Sequence, residues 1–247
     1  MRVLELWRYP VKSMGGQRLE AAEVGAAGIV GDRQWGVVDL ATATMLTARR
    51  EPRLLFASAQ VNPMGELVVT LPDGTQTGDG EGLSRWLERD VELVERAAVD
   101  GGQRYEIATD FEDEANSRWV SWEGPTHSFH DSGRTAVSIL ASDALGAWDR
   151  RRFRGNVIID GDEPSRLVGS SVRLGSTKLT VSKGIDRCVM VTRPLPASDG
   201  HPAAERDLSI LRTINSQRQS LMGLGCIVDE PGRVEVGDIL GDAHSDA

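Results

Sequence analysis

Short runs of β-forming residues, many of them separated by glycine-containing turns, are what most restrict this chain. Spread over 247 residues, 27 glycines and 10 prolines supply many of the breaks between such runs. The uninterrupted runs have the length of strands. In the first half, Val3–Trp7, Gln34–Val38, Leu54–Ala57, Glu66–Thr70 and Val91–Val94 read as strands. In the second, Asn156–Asp160, Ser171–Leu174, Lys178–Val181 and Cys188–Val191 do the same, and Arg233–Leu240 reads as two strands joined at Gly237-Asp238. Three stretches carry helical spacing: Leu83–Leu87, Asp143–Trp148 and Leu208–Ile214, the last with Asp207 as its N-cap. The predicted class is mostly β with a few helices, in barrels or sandwiches.

Between about residues 97 and 124 the periodicity lapses into Asp100-Gly101-Gly102 and the acidic Asp110–Glu114. The expected organisation is therefore a first unit at 1–98, a connecting segment at 99–124 and a second unit at 125–247. Trp119 and Trp122 within the connector point to packing against something.

Two cysteines far apart in sequence do not make a disulfide framework, so a reducing compartment is expected and the pair is expected not to bond. Glu5 sits where a signal peptide needs apolar residues, and no apolar run spans a bilayer. A cytoplasmic protein without membrane contact is the expectation. The net charge of −9 argues against nucleic acid as a partner. Against that acidic background, Thr47–Arg53 and Asp149–Arg154 are strongly basic. Such clusters suit a small anionic ligand, or else form solvated faces.

Cys188 follows Arg187 and precedes an apolar run. A thiolate is a soft metal ligand and a strong nucleophile, and an adjacent cation favours that charged form. The alternative is a buried core thiol. Tyr9–Ser13 places Lys12 and Ser13 at a strand exit, where they can meet a phosphate or simply form a polar turn. In Gly28–Trp35, Asp32 can orient Arg33 toward an anion, or the glycines can mark a tight turn alone. Arg154 and Asn156 stand two apart, so an extended segment would put both on one face, toward a ligand or toward solvent. His127 and His130 do not read as helical and have one local carboxylate, so no zinc site is expected. His201 is the nearest histidine to Cys188 for a Cys-His hydrolase, but it lies in a Pro- and Gly-rich loop. No nucleophile elbow, P-loop or dinucleotide-binding fingerprint is present.

Taken in order, Lys12-Ser13, Gly31-Asp32-Arg33, Thr47-Ala48-Arg49, Arg154-Gly155-Asn156, Arg187-Cys188 and the closing Glu230–Asp238 resemble the MOSC family, in the branch with an N-terminal MOSC-associated β-barrel. That branch includes the mitochondrial amidoxime-reducing component and bacterial relatives, and the resemblance covers nearly the whole chain. It implies a barrel-like first domain followed by a MOSC barrel. It also implies a molybdenum cofactor, a pyranopterin dithiolene, with Cys188 as the protein ligand to the metal. Lys12, Ser13, Arg33, Arg49, Arg154, Asn156 and Arg187 would hold the pterin and its phosphate. The implied reaction is two-electron reduction of a small N-oxygenated substrate: a hydroxylamine, amidoxime or N-oxide. Two cysteines cannot ligate an iron–sulfur cluster, so a separate electron donor is implied. A persulfide or cofactor carrier using Cys188, or a barrel recruited to non-redox chemistry, are the other readings. Two places depart from the family pattern. Asp131–Thr135, with Ser132 and Thr135, fits it loosely, and Gly223-Leu224-Gly225-Cys226 stands where amidoxime reducers carry a tyrosine. Both bear on the substrate more than on the cofactor.

Overall fold

The computed structural model describes residues 1–126, 128–198 and 200–243. The longest strands, Thr177–Asp186 and Leu221–Glu230, form the spine of an eight-stranded sheet. Thr177, Leu179 and Val181 alternate with half-exposed residues, so one face of Thr177–Asp186 enters the core. The sheet runs in the order Leu240–Asp242, Ser171–Leu174, Thr177–Asp186, Leu221–Glu230, Val137–Ala141, Val157–Ile159, Val3–Arg8 and Gln17–Leu19. Its first strand in sequence, Val3–Arg8, thus pairs with Val157–Ile159 from the far half of the chain. Val137–Ala141 and Val157–Ile159 are parallel, so the chain crosses over between them through the short helix Ser142–Leu145.

A second core lies under two three-stranded sheets. One is Val91–Glu95, Trp35–Asp39 and Thr44–Leu46, and the other is Ser58–Val61, Leu67–Thr70 and Gln76–Thr77. Val37, Leu54, Val69, Leu83 and Leu87 are fully buried there, and the helix Gly80–Leu87 supplies the last two. The larger core joins Leu6 and Trp7 to Ile139, Ile159, Leu179, Val181 and Leu224. Strand pairing dominates throughout, in keeping with the mostly β class, and the α-helices among the described residues are Gly80–Leu87, Ser142–Leu145 and Leu208–Arg218. None of them is long and apolar enough to cross a membrane.

Three local expectations give way to tertiary context. Leu54–Ala57 is part of a 3-10 turn, Pro52–Phe56, in place of a strand. Proline starts that turn, and the Glu51 carboxylate accepts from Arg53 N. Cys188–Val191 is not a strand either. Cys188 caps the 3-10 turn Val189–Thr192, where the Thr192 hydroxyl donates to Val189 O at 2.8 Å. The connector holds an antiparallel hairpin, Arg104–Ala108 with Trp119–Glu123. At the end of the chain, Gly232–Glu235 pairs with Ala21–Gly25 and Leu240–Asp242 with Ser171–Leu174, so these neighbours in sequence enter different sheets.

Candidate functional site

Loops leaving the strand ends converge on one cavity of about 540 Å³, a size usual for small-molecule sites. Lys12 and Ser13 follow Val3–Arg8, Arg33 precedes Trp35–Asp39, Arg49 follows Thr44–Leu46, Arg154 precedes Val157–Ile159, and Arg187 and Cys188 follow Thr177–Asp186. The pairing of that last strand with Leu221–Glu230 shifts register between Val181 and Lys183 and again between Gly184 and Asp186. Such bulges bend the strand just before it delivers Cys188. Three residues of the wall, Ser13, Arg33 and Arg154, hold positive φ angles of 70°, 47° and 52° without being glycine. Side chains rarely tolerate that conformation, and where it persists it tends to mark function.

Cys188 is half-buried and free, and Arg49 Nη2 donates to its Sγ at 3.4 Å. The same nitrogen donates to Asp131 Oδ2 at 3.0 Å, while Lys12 Nζ donates to Asp131 Oδ1 at 2.6 Å and to Phe129 O at 2.7 Å. Burial works against the Arg49 charge, but Asp131 and the sulfur of Cys188 outweigh it and raise its pKa above the ordinary arginine value. Burial also works against the Asp131 carboxylate, yet Arg49 and Lys12 hold it far below the usual range. Its side chain stays 53% open to water in the cavity, which screens the pairing. Burial brings the Lys12 ammonium below its ordinary value although Asp131 opposes this.

Elsewhere in the cavity wall, Arg33 and Arg154 both lie over the Tyr9 ring, at 4.7 and 4.4 Å from its centroid. Asp32 orients Arg33 as its position suggested. Its Oδ2 takes Arg33 Nη1, its Oδ1 accepts from Tyr9 N at 2.7 Å, and Arg33 Nη2 donates to Arg154 O at 2.8 Å. Arg187 donates from Nε to Met222 O at 2.7 Å and from Nη1 to Phe153 O at 3.0 Å, leaving Nη2 buried without a partner. Gly223 makes room for it, since a Cβ there would stand 2.9 Å from Arg187 Nη2, at a φ of +88°. Burial lowers both Arg154 and Arg187 to about 10, Arg154 with help from Arg33, so both stay charged at neutral pH.

Asn156 departs from the expectation. It is fully buried behind the wall, where its Oδ1 accepts from Ser138 N at 3.1 Å and Oγ at 2.8 Å and its Nδ2 donates to Trp7 O at 3.2 Å. The left-handed turn at Arg154 breaks the extended geometry that would have put the two side chains on one face. His130 lines the cavity, whereas His127 lies outside the described residues. Burial, followed by Arg33, pushes His130 down to about 3, so it is neutral at pH 7, and its buried Nε2 has no hydrogen-bond partner. His201 is not among the lining residues. Cys226 is fully buried in the sheet, and burial raises its thiol to about 12.

Sequence reasoning missed Ile107, Trp122 and Met190 as lining residues and gave Asp131 no role with the cations. The two tryptophans in the connector were the available signal. Among the described residues, the cavity wall carries Lys12, Arg33, Arg49, Arg152, Arg154, Lys183 and Arg187 against two carboxylates, Asp131 and Asp186. In a molecule of net charge −9, this is a positive cavity around one thiol.

The chain matches the MOSC N-terminal beta barrel domain over residues 1–121 and the MOSC domain over residues 126–240. It belongs to the MOSC family. No curated protein matches it. Among solved structures, this MOSC protein is similar to the YUAD protein from Bacillus subtilis, at 12% identity over 96% of this chain and 92% of that one, with a TM-score of 0.42. It is also similar to YiiM from Geobacillus stearothermophilus, at 17% identity over 50% of this chain and 66% of that one, with a TM-score of 0.35.

Proposed function

We propose that this MOSC protein is a molybdenum-cofactor-dependent oxidoreductase that reduces N-oxygenated substrates of the hydroxylamine, amidoxime or N-oxide type, with Cys188 as the protein ligand to molybdenum. One observation carries the reading: a soft sulfur donor stands in a cation-lined cavity where Arg187 Nη2 and Arg49 Nε are buried without partners. Buried donors left unpaired cost about 1–3 kcal/mol each, so a site built this way suits an anion that accepts from them. The donor set therefore fits a phosphate-bearing cofactor with a thiolate-seeking metal.

Arg187 and Arg49 would meet its anionic groups with their free N–H groups. The Ser13 hydroxyl accepts from Ala48 N at 3.0 Å, which leaves its own hydrogen to donate. Arg33 and Arg154 are braced on Tyr9 and add positive charge without needing to move. Neutral His130 contributes a hydrogen-bonding nitrogen and no charge. When bound, the cofactor supplies the two-electron chemistry, and a separate donor protein in the cytoplasm returns the electrons. The overall change balances as R–NHOH plus two electrons and two protons giving R–NH2 and water.

The test is to purify the protein from cells that make the cofactor and measure molybdenum and released pterin per chain. Near-stoichiometric metal is expected in the native protein, with hydroxylamine and benzamidoxime reduction driven by a chemical donor. In Cys188→Ala, metal should fall below about a tenth and turnover should vanish. Full metal and activity in that variant would overturn the assignment. Metal-free native protein carrying cyanide-labile sulfur would replace it with a persulfide carrier.

A further inference from the structure

We propose that the hairpin formed by Arg104–Ala108 and Trp119–Glu123 is the specificity element of the site. In this proposal Ile107 and Trp122 pack the carbon skeleton of the substrate, and Glu114 at the tip holds the hairpin in place. This rests on the reductase reading for the reaction, though not for the binding. Register sets which side faces in. Tyr105 pairs with Trp122 and Ile107 with Val120, so these four share one apolar face, while Arg104, Glu106, Ser121 and Glu123 occupy the other. The apolar face turns inward: Tyr105 is fully buried with Met45 and Phe129, and Ile107 and Trp122 reach the cavity wall.

A two-stranded hairpin is marginal by itself, so something else must fix this one. The base is fixed by stacking, with the Tyr105 and Trp122 rings 4.6 Å apart at 21° and Lys12 Nζ 4.8 Å from the Tyr105 centroid. The tip is fixed by charge. Glu114 Oε1 accepts from Arg193 Nη2 at 2.7 Å, Glu114 Oε2 from Arg206 at 3.4 Å, and Glu112 from Arg212 Nε at 2.7 Å. Glu114 and Arg193 are 12% and 7% exposed, well out of solvent for an ion pair. Arg193 Nη2 also donates to Arg49 O at 2.8 Å, and Arg49 is the residue that contacts Cys188. The hairpin tip and the thiol side of the cavity are thus tied through one guanidinium.

The cavity lining is therefore of two kinds. Cations and Cys188 supply its charged surface, and Ile107, Trp122, Phe129 and Met190 supply its apolar surface. An indole held flat against a tyrosine and still open to a cavity is suited to a planar apolar group, which it binds at little cost in entropy. The ligand class is an N-hydroxylated compound that carries an aryl or extended apolar group beside its N-hydroxyl function, as benzamidoxime carries phenyl on the amidoxime carbon.

Two measurements separate this proposal from the reductase reading. In cofactor-loaded enzyme, the benzamidoxime-to-hydroxylamine ratio of kcat/KM should fall about tenfold or more in Trp122→Ala through the KM for benzamidoxime. Trp122→Phe should recover most of that loss, and Glu114→Gln should shift the ratio the same way with faster proteolysis in the 109–118 loop. Independently, calorimetry of benzamidoxime binding to cofactor-free protein should give a Kd about tenfold weaker in Trp122→Ala. Unfolding midpoints establish that each variant is folded, and Ile107→Ala is the substitute if Trp122→Ala is not. An unchanged ratio together with an unchanged Kd, or no binding in the native protein, overturns the proposal. Loss of reduction with the Kd difference intact overturns the reaction and leaves the hairpin's role standing.

Discussion

Arg154 and Asn156 are two residues apart and do different work because one torsion angle intervenes. A φ of +52° at Arg154 turns its guanidinium onto Tyr9, and the chain re-enters the sheet with Asn156 pointing into the core. Asn156, itself fully buried, bridges Ser138 on one strand to Trp7 on another. Asn156→Ala should therefore cost about 1–3 kcal/mol, because it strands the Ser138 groups and the Trp7 carbonyl. Urea unfolding checks this: the midpoint should drop with an unchanged slope, and an unchanged midpoint would return Asn156 to the ligand side. The types of residue in the cavity were legible in sequence, since Lys12, Ser13, Arg33, Arg49, Arg154, Arg187 and Cys188 all line it. Their internal pairing was not legible. That Asp131 sits between Lys12 and Arg49 depends on three loops meeting, and no local pattern records such a meeting.

Among elements, those whose hydrophobic period matched their burial were readable. Ser171–Leu174 lies where alternation put it, and Leu208–Arg218 begins at its predicted cap, with Asp207 Oδ1 accepting from Ser209 N at 2.9 Å. Asp207→Ala should lower stability by about 1 kcal/mol, read as a lower thermal midpoint, whereas Asp207→Ser should retain most of it. The readings that failed were short apolar runs without a period to settle them. Leu54–Ala57 and Cys188–Val191 have strand-like composition, but a proline start in one and a buried threonine bond in the other fold them as 3-10 turns. The connector failed differently. Its hairpin has an apolar face only four residues wide, and that face gains meaning from Phe129 and Met45 opposite it.

At the scale of the molecule, the eight-stranded sheet draws strands from both ends of the chain. A fragment of residues 125–247 would lack Val3–Arg8 and Gln17–Leu19, and its core would lose Leu6, Trp7, Val24 and Ile29. Val157–Ile159, buried at every position, would become an exposed apolar edge. That fragment should show no cooperative urea transition and should associate on sizing columns. Adding residues 1–124 as a separate chain should restore a transition, and a cooperative monomer of the fragment alone would refute the dependence.

The sequence by itself determined the β class, about half of the strand positions, the polar residue types of the site and the family, because these follow from local period, turn chemistry and the order of short motifs along the chain. Tertiary structure alone decided that Val3–Arg8 closes onto Val157–Ile159, that Asn156 faces the core, and that Trp122 faces the cavity. The reason is physical: propensity and period act over a few residues, whereas a cavity wall is assembled from loops up to 179 residues apart, from Lys12 to Val191, whose contacts have no local signature.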